Sequence, residues 1–190
     1  MKGISDLILN KIKTKNGESL RDRIILMGLK NTVQYWFFQR ILRINSNAPW
    51  PVHPSSVVIH PSNIKHKNGK SPIIPYPGYM PGTYIQARNG IIMGRNIRFG
   101  PGVKLISANH DLEDFNKHIA EDPVEIGDNC WLGADSVILP GVKLSSHIVV
   151  GAGSVVNKSF KEKDIAIAGV PAQKIKNIKP YIGIMDRLGD

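Results

Sequence analysis

The sequence predicts a mainly β fold, a parallel β-helix built from six-residue repeats, and three observations lead to this prediction. The first is a run of aliphatic residues placed six positions apart. These residues are Ile126, Leu132, Ile138, Leu144, Val150 and Val156. A six-residue step matches neither the α-helical period of about 3.6 residues nor the two-residue alternation of an ordinary strand. It fits short parallel strands joined by tight turns around a prism.

The second observation concerns the residues that accompany each aliphatic position. Glycine follows it at Gly127, Gly133 and Gly151, which predicts unusual backbone angles there. The fifth residue of each repeat is mostly small or apolar and is predicted to face inward. These fifth residues are Cys130, Ser136, Val142, Ile148, Ser154 and Phe160. The third observation is that the same register recurs at residues 93–105 and, more weakly, at residues 52–64.

The domain organisation follows from the repeat. A single coil leaves its apolar interior exposed, so the coils must be stacked and their ends must be capped. We predict a mainly helical N-terminal cap at residues 1–48 and a β-helix at residues 49–164. Loops are inserted into the β-helix near residues 65–84 and 111–124, and a short capping segment occupies residues 165–190.

Composition favours a cytoplasmic protein. No stretch approaches the roughly 18 uninterrupted apolar residues of a membrane span, and Lys2, Asp6 and Asn10 interrupt any apolar core of a signal peptide. The single cysteine, Cys130, rules out an internal disulfide and is predicted to lie in the core.

The net charge of +10 and the pI near 9.8 indicate that the protein attracts polyanions, of which coenzyme A is one. Nucleic acid is not an expected partner, because the aromatic residues and lysines do not interleave as they do in a single-strand platform.

Residues 30–43 carry an aromatic run flanked by basic residues. The run is Tyr35 to Phe38, and Lys30, Arg40 and Arg43 flank it. One interpretation is peripheral membrane contact by a basic amphipathic helix, which would make the protein membrane-associated. The other is packing against the first coil, which we favour.

His110 is the candidate catalytic residue. It lies in the segment 107–114, where the chain leaves the regular repeats and enters the second inserted loop. Loops inserted into rigid scaffolds often carry functional sites. His110 is therefore either a general base or an ordinary polar residue at the start of a loop.

Five segments resemble one known family. They are residues 81–87, 106–111, 126–133, 150–156 and 168–172, and the resemblance covers roughly residues 50–178. In order and spacing they resemble the hexapeptide-repeat acyltransferases. Within that family the chain is similar to the sugar O-acetyltransferase branch found in surface polysaccharide synthesis, including the maltose and galactoside O-acetyltransferases.

This resemblance implies a left-handed parallel β-helix that assembles as a homotrimer, with active sites in the clefts between adjacent prisms. Acetyl-CoA would be the donor, and no metal is expected. His110 would accept the proton of an acceptor hydroxyl, a contribution of about 10²- to 10⁴-fold. The groups considered for orienting its ring are Asp111, Glu113, Asn109 or a backbone carbonyl.

The resemblance also implies binding residues. Coenzyme A would lie along the late coils against Trp131, Ala134, Ala152, Asn157 and Lys158, with Lys174 and Lys176 meeting its phosphates. Trp131 would either line the cleft or cover a coil face. Relatives often carry arginine where this chain has Gln173 and Lys176, so the sequence does not determine which residues contact the phosphates of coenzyme A. Gln86 and Asn89 are the candidates for acceptor binding.

The acceptor predicted from the resemblance is a sugar hydroxyl on a polysaccharide or glycan precursor. Alternatives are an amino acid, an antibiotic or a sugar amine, contacted by the inserted loops. A zinc carbonic anhydrase would need three converging histidines, but only His110 and His147 have a suitable separation. A non-catalytic β-helix scaffold is the remaining alternative, and the intact His110 argues against it.

Overall fold

The computed structural model describes residues 11, 19–67, 69 and 76–183. Most of residues 1–18 of the predicted N-terminal cap lie outside the described residues. Part of the first inserted loop and residues 184–190 of the predicted C-terminal segment do so as well.

The described helices lie near the N-terminal end. Helix α1 (Leu20–Met27) begins after Ser19, whose hydroxyl accepts a hydrogen bond from the backbone N–H of Asp22 at 3.1 Å. Gly28 separates it from helix α2 (Leu29–Arg40) with a positive φ of 78°, which glycine adopts at little cost.

Helix α2 packs onto the beginning of the β-helix through one of its faces. Tyr35 and Gln39 are buried. The Tyr35 hydroxyl donates to the carbonyl of Tyr79 at 3.3 Å, and Nε2 of Gln39 donates to the carbonyl of Trp50 at 2.9 Å. The packing that we favoured is therefore present for Tyr35, whereas the neighbouring Trp36 is 54% exposed.

Short strands follow along the rest of the chain. They are β1 (Val57–Ile59), β2 (Ile64–His66), β3 (Tyr84–Gln86), β4 (Ile91–Met93), β5 (Arg98–Phe99), β6 (Lys104–Ile106), β7 (Val124–Ile126), β8 (Trp131–Leu132), β9 (Val137–Ile138), β10 (Lys143–Leu144), β11 (Ile148–Val150), β12 (Val155–Val156), β13 (Ile165–Gly169) and β14 (Ala172–Asn177). A 3₁₀ turn at Pro61–Asn63 connects β1 to β2.

The strands form three sheets that make the walls of a prism. The first sheet has the order β1-β3-β6-β9-β12, the second β10-β7-β4-β2 and the third β14-β13-β11-β8-β5. From β3 to β12, consecutive strands fall in the first, second and third sheets in turn. All pairings are parallel except that of β13 with β14, so the predicted parallel β-helix is confirmed.

The sixfold register supplies the core. The aliphatic residues of the register from Ile126 to Val156 are at most 4% exposed. Three repeats make one coil, so residues 18 positions apart are paired on neighbouring strands, except where an inserted loop lengthens the coil. Leu132, for example, pairs with Phe99 on one side and Val150 on the other. Each column buries apolar side chains, and burial of this kind stabilises the stack by roughly 25 cal/mol per Å².

The reason for glycine at these repeat positions differs from the one that we predicted. Positive φ angles occur at turn residues such as Asn129 and Asp135 and not at Gly127, Gly133 or Gly151. A Cβ atom on Gly133 would instead lie 2.6 Å from the backbone nitrogen of Ala152 on the next coil. These glycines therefore allow neighbouring coils to approach closely.

The C-terminal end of the stack lies in the third sheet. Strand β13 pairs in parallel with β11, and the chain then turns back so that β14 pairs antiparallel with β13. The wall therefore continues beyond residue 164, where we had predicted the capping segment to begin.

No helix in the described part of the chain is both long and apolar enough to cross a membrane.

Candidate active site

The second inserted loop leaves the prism at the corner between the first and second sheets, between β6 and β7. Hydrogen bonds from the preceding coil fix the beginning of this loop. The side-chain Oε1 of Gln86 accepts hydrogen bonds from the backbone N–H and the hydroxyl of Ser107, while Nε2 of Gln86 donates to the carbonyl of Ala108 at 3.3 Å. The segment that leads into His110 is thus fixed to the rigid wall.

Asn89 holds the same loop at a second point. Its backbone N–H donates to the Ser107 hydroxyl at 3.0 Å, and its side-chain Nδ2 donates to the carbonyl of Ile119 at 2.9 Å. Gln86 and Asn89, which we predicted as candidates for acceptor binding, therefore support both ends of the loop.

His110 itself is exposed and has a defined orientation. Its backbone forms an antiparallel bridge with His118, and its Nδ1 lies 2.6 Å from the carbonyl oxygen of Phe115. Because a carbonyl can only accept, Nδ1 carries the hydrogen and donates it. In the neutral ring Nε2 then holds the lone pair, as a general base requires.

The orienting group is therefore a backbone carbonyl and not one of the side chains named from the sequence. Oδ1 of Asp111 accepts the backbone N–H groups of Glu113 and Asp114, at 2.8 and 3.0 Å, and so stabilises the turn. Nδ2 of Asn109 lies 3.5 Å from Oε1 of Glu121. No hydrogen bond joins the carboxylate of Glu113 to the His110 ring.

His118 was not predicted and packs directly against His110. The ring centroids are 4.2 Å apart, with an angle of 42° between the planes. Partial desolvation, together with the positive charges of Arg88, His110 and His60, lowers the pKa of His118 below its ordinary value. A lowered pKa keeps this imidazole neutral, so His110 has an uncharged neighbour at neutral pH.

The donor candidates Trp131, Ala134 and Ala152 lie at another corner, where the chain passes from the third to the first sheet. Trp131 is on the outer face and is 57% exposed, next to Val149 on the neighbouring strand. The small residues at this corner leave the backbone accessible, as an extended ligand arm would need.

The remaining donor candidates lie towards the C-terminal end. Asn157 and Lys158 follow β12, at the corner that also carries His110, and Nζ of Lys158 donates to Oε1 of Gln173 at 2.8 Å. Lys174 forms an ion pair with Glu162 at 2.6 Å. Lys176 is exposed on β14, opposite Ala166. A phosphate at Lys174 would have to replace Glu162, and an exposed pair of this kind is weak.

A single prism does not bring all these residues together. His110 follows the first sheet, whereas Trp131, Ala134 and Ala152 precede it, so the width of that sheet separates the two groups.

The other titratable candidates lie elsewhere. Nδ1 of His147 lies 2.7 Å from Oδ1 of Asp164, and its ring packs against Tyr181. Among the described residues, no three His, Cys, Asp or Glu side chains are grouped as metal ligands would be. Cys130 is fully buried, and its burial raises the pKa of the thiol to about 11, so it is protonated at neutral pH.

Residues 123–158 match the family model described as the hexapeptide repeat of succinyl-transferase. The galactoside O-acetyltransferase of Lactococcus lactis is 36% identical over 91 residues, which are 46% of this chain and 44% of that protein. The resemblance to the hexapeptide-repeat acyltransferases is confirmed. The galactoside O-acetyltransferase of Escherichia coli is 35% identical over 91 residues, with the same shares of the two chains. The chain thus spans less than half the length of these relatives.

A solved structure of a galactoside acetyltransferase in complex with coenzyme A has the same fold. It superposes with a TM-score of 0.56 at 23% sequence identity, covering 82% of each chain. The predicted left-handed β-helix of hexapeptide repeats is therefore confirmed.

Proposed function

We propose that this protein transfers an acetyl group from acetyl-CoA to a sugar hydroxyl, with His110 as the general base. The observation that carries the proposal is the 2.6 Å hydrogen bond from Nδ1 of His110 to the Phe115 carbonyl, which leaves the basic Nε2 available at the loop. The sequence relatives that are named galactoside O-acetyltransferases support the same reaction and acceptor class.

The residues assign the steps of the transfer. Nε2 of His110 accepts the proton of the acceptor hydroxyl while that oxygen attacks the thioester carbonyl. The Phe115 carbonyl stabilises the resulting imidazolium, because it accepts the hydrogen bond from Nδ1. The protonated ring then donates its proton to the sulfur of the departing coenzyme A. Because the thioester is already activated, the remaining requirements are positioning and stabilisation of the oxyanion.

A homotrimer completes the site in this proposal. The donor lies along Trp131, Ala134 and Ala152 of one subunit and faces His110 of its neighbour. The separation of the two groups on one prism supports this arrangement. The proposed role is acetylation of a surface polysaccharide precursor in the cytoplasm.

Release of free thiol from acetyl-CoA tests the proposed reaction. The purified protein is assayed with methyl galactoside, a disaccharide, methyl glucuronide, glucose 1-phosphate, serine, an aminoglycoside and glucosamine, with a control lacking acceptor. We expect acceptor-dependent release with at least one of the neutral or acidic sugars, which carry hydroxyl groups but no amine. Release with amines or serine alone, or with none of the acceptors, would contradict the proposal.

We propose that the outer face of α2 contacts an anionic membrane surface. This face, here called the apolar face of α2, is formed by side chains that are 44–62% exposed. They are Leu29, Val33, Trp36, Phe37 and Ile41. The basic residues Lys30, Arg40 and Arg43 lie in and beside the same helix. A helix with aromatic and basic residues so arranged binds the boundary between headgroups and acyl chains.

Co-sedimentation with vesicles of phosphatidylcholine and phosphatidylserine tests this contact. We expect the wild-type protein to sediment at low salt. The double variant Trp36→Ser/Phe37→Ser should bind at least about tenfold more weakly, since two apolar side chains no longer insert. The control Leu112→Ser/Ile175→Ser changes residues that are more exposed than Trp36 and Phe37 but lie outside α2. Wild-type protein that stays in the supernatant would contradict the proposal.

A further inference from the structure

A cavity of about 270 Å³ lies at the corner of the prism that carries His110. Lys65 of β2, Arg88 and Asn89 after β3, and Pro123 at the end of the inserted loop contribute to its lining. Strand β3 is the neighbour of β6, so the cavity lies one coil away from the beginning of the loop. Its volume is sufficient for about one sugar ring, at the lower limit of typical ligand sites.

Contacts connect this cavity to His110. Asn89, in the cavity wall, binds the carbonyl of Ile119, which follows His118 in the chain. The His118 ring in turn packs on His110 at 4.2 Å. Arg88 is near enough to His118 to affect its ionisation, as is His60. The cavity wall is therefore connected through Asn89 and the His118 segment to the proposed base.

Lys65 and Arg88 make the charge of the cavity wall positive, and neither forms an ion pair with the nearby Glu125 or Asp122. In the outer row of the second sheet, Lys65, Ile92, Glu125 and Lys143 stand side by side. Glu125 pairs with Lys143 at 3.2 Å, and Asp122 pairs with the same lysine at 3.0 Å. In the described part of the chain, neither Lys65 nor Arg88 forms an ion pair.

We propose that the acceptor is an acidic sugar, whose carboxylate or phosphate group is bound by Lys65 and Arg88 while a hydroxyl is presented to Nε2 of His110. This inference rests on the proposed acetyl transfer and specifies its acceptor. The arginine guanidinium can bind two oxygens of a carboxylate or phosphate at once, and lysine adds a point charge. A neutral sugar would leave both cations without a partner.

Binding measured by calorimetry without acetyl-CoA tests the acceptor class independently of catalysis. The probes are methyl glucuronide, glucose 1-phosphate and methyl glucoside. We expect at least one acidic sugar to bind about tenfold or more tightly than methyl glucoside, as charge-assisted hydrogen bonds provide. Whichever acidic probe binds more tightly identifies the acidic group as carboxylate or phosphate.

The variant Lys65→Gln/Arg88→Gln should abolish this preference while thermal unfolding stays unchanged. The control Arg95→Gln/Lys161→Gln removes the same two charges from exposed positions outside the cavity and should retain the preference. Equal affinity for acidic and neutral sugars, no binding of either acid, or a preference that survives Lys65→Gln/Arg88→Gln would overturn the inference. Because no acetyl donor is present, these results remain interpretable even if the thiol-release assay fails.

Discussion

Replacing His110 with alanine is expected to lower kcat for acetyl transfer by about 10²- to 10⁴-fold, the usual contribution of a general base. The Nε2 atom that would take the acceptor proton is removed, while the exposed ring contributes little packing. The midpoint of thermal unfolding should therefore stay near that of the wild type. Thiol release with the acceptor found active gives kcat, and a melting curve checks the fold.

His53→Ala is the matched control for this experiment. His53 is half-buried near α2, where its ring packs against Tyr35, and it lies outside the proposed site. We expect its kcat to remain close to the wild-type value. Acceptor-dependent turnover that is equal in His110→Ala and wild type would remove the catalytic role of His110.

Replacing Leu132 with alanine is expected to lower the free energy of unfolding by about 2–5 kcal/mol. Leu132 is fully buried between Phe99 and Val150, so its truncation leaves a cavity in a column that the neighbouring coils cannot close. Leu112→Ala makes the same chemical change at a side chain that is 86% exposed on the inserted loop, and should cost less than about 0.5 kcal/mol.

Chemical denaturation followed by circular dichroism measures both variants. Protein concentration must be the same for each, because the proposed assembly would contribute to the apparent stability. Equal losses of unfolding free energy in Leu132→Ala and Leu112→Ala would mean that the sixfold register does not determine which residues form the core.

The fold could be predicted from the sequence because burial in a stacked prism depends on one short period. Ile126, Leu132 and Ile138 are predicted to face inward by spacing alone, and the structure buries all three. The reason for the glycines could not be read in the same way. A small residue after Leu132 has the same sequence signal whether the backbone is strained or a neighbouring coil is close.

The candidate site was predictable only in part. His110 stands out because the repeat stops beside it, but the Phe115 carbonyl that orients it has no sequence signal, since every residue carries a carbonyl. His118 and Arg88 come near His110 only through the fold of the loop and the stacking of coils. The position of Arg88 could be inferred in part. His60 and Arg88 each follow a strand of the first sheet, so both lie at the same corner of the prism.

The separation of His110 from Ala134 depends on which corner each residue occupies, and the sequence does not state this directly. The assignment of each strand to one of the three sheets shows which corner each residue occupies. For the same reason, the aromatic run of α2 could be recognised as helical and amphipathic, whereas the choice between Tyr35 and Trp36 as the packed residue required the position of the first coil.

Complementation between two inactive subunits tests most directly the claim that His110 works in a site shared by neighbouring chains. In the proposed homotrimer, His110→Ala lacks the base and Ala134→Trp blocks the small donor corner, so each variant alone should be inactive. Mixed trimers, co-expressed and purified through two different tags, contain one intact interface and should regain about one third of wild-type thiol release. Mixed trimers that stay inactive, or full activity in Ala134→Trp alone, would contradict the account.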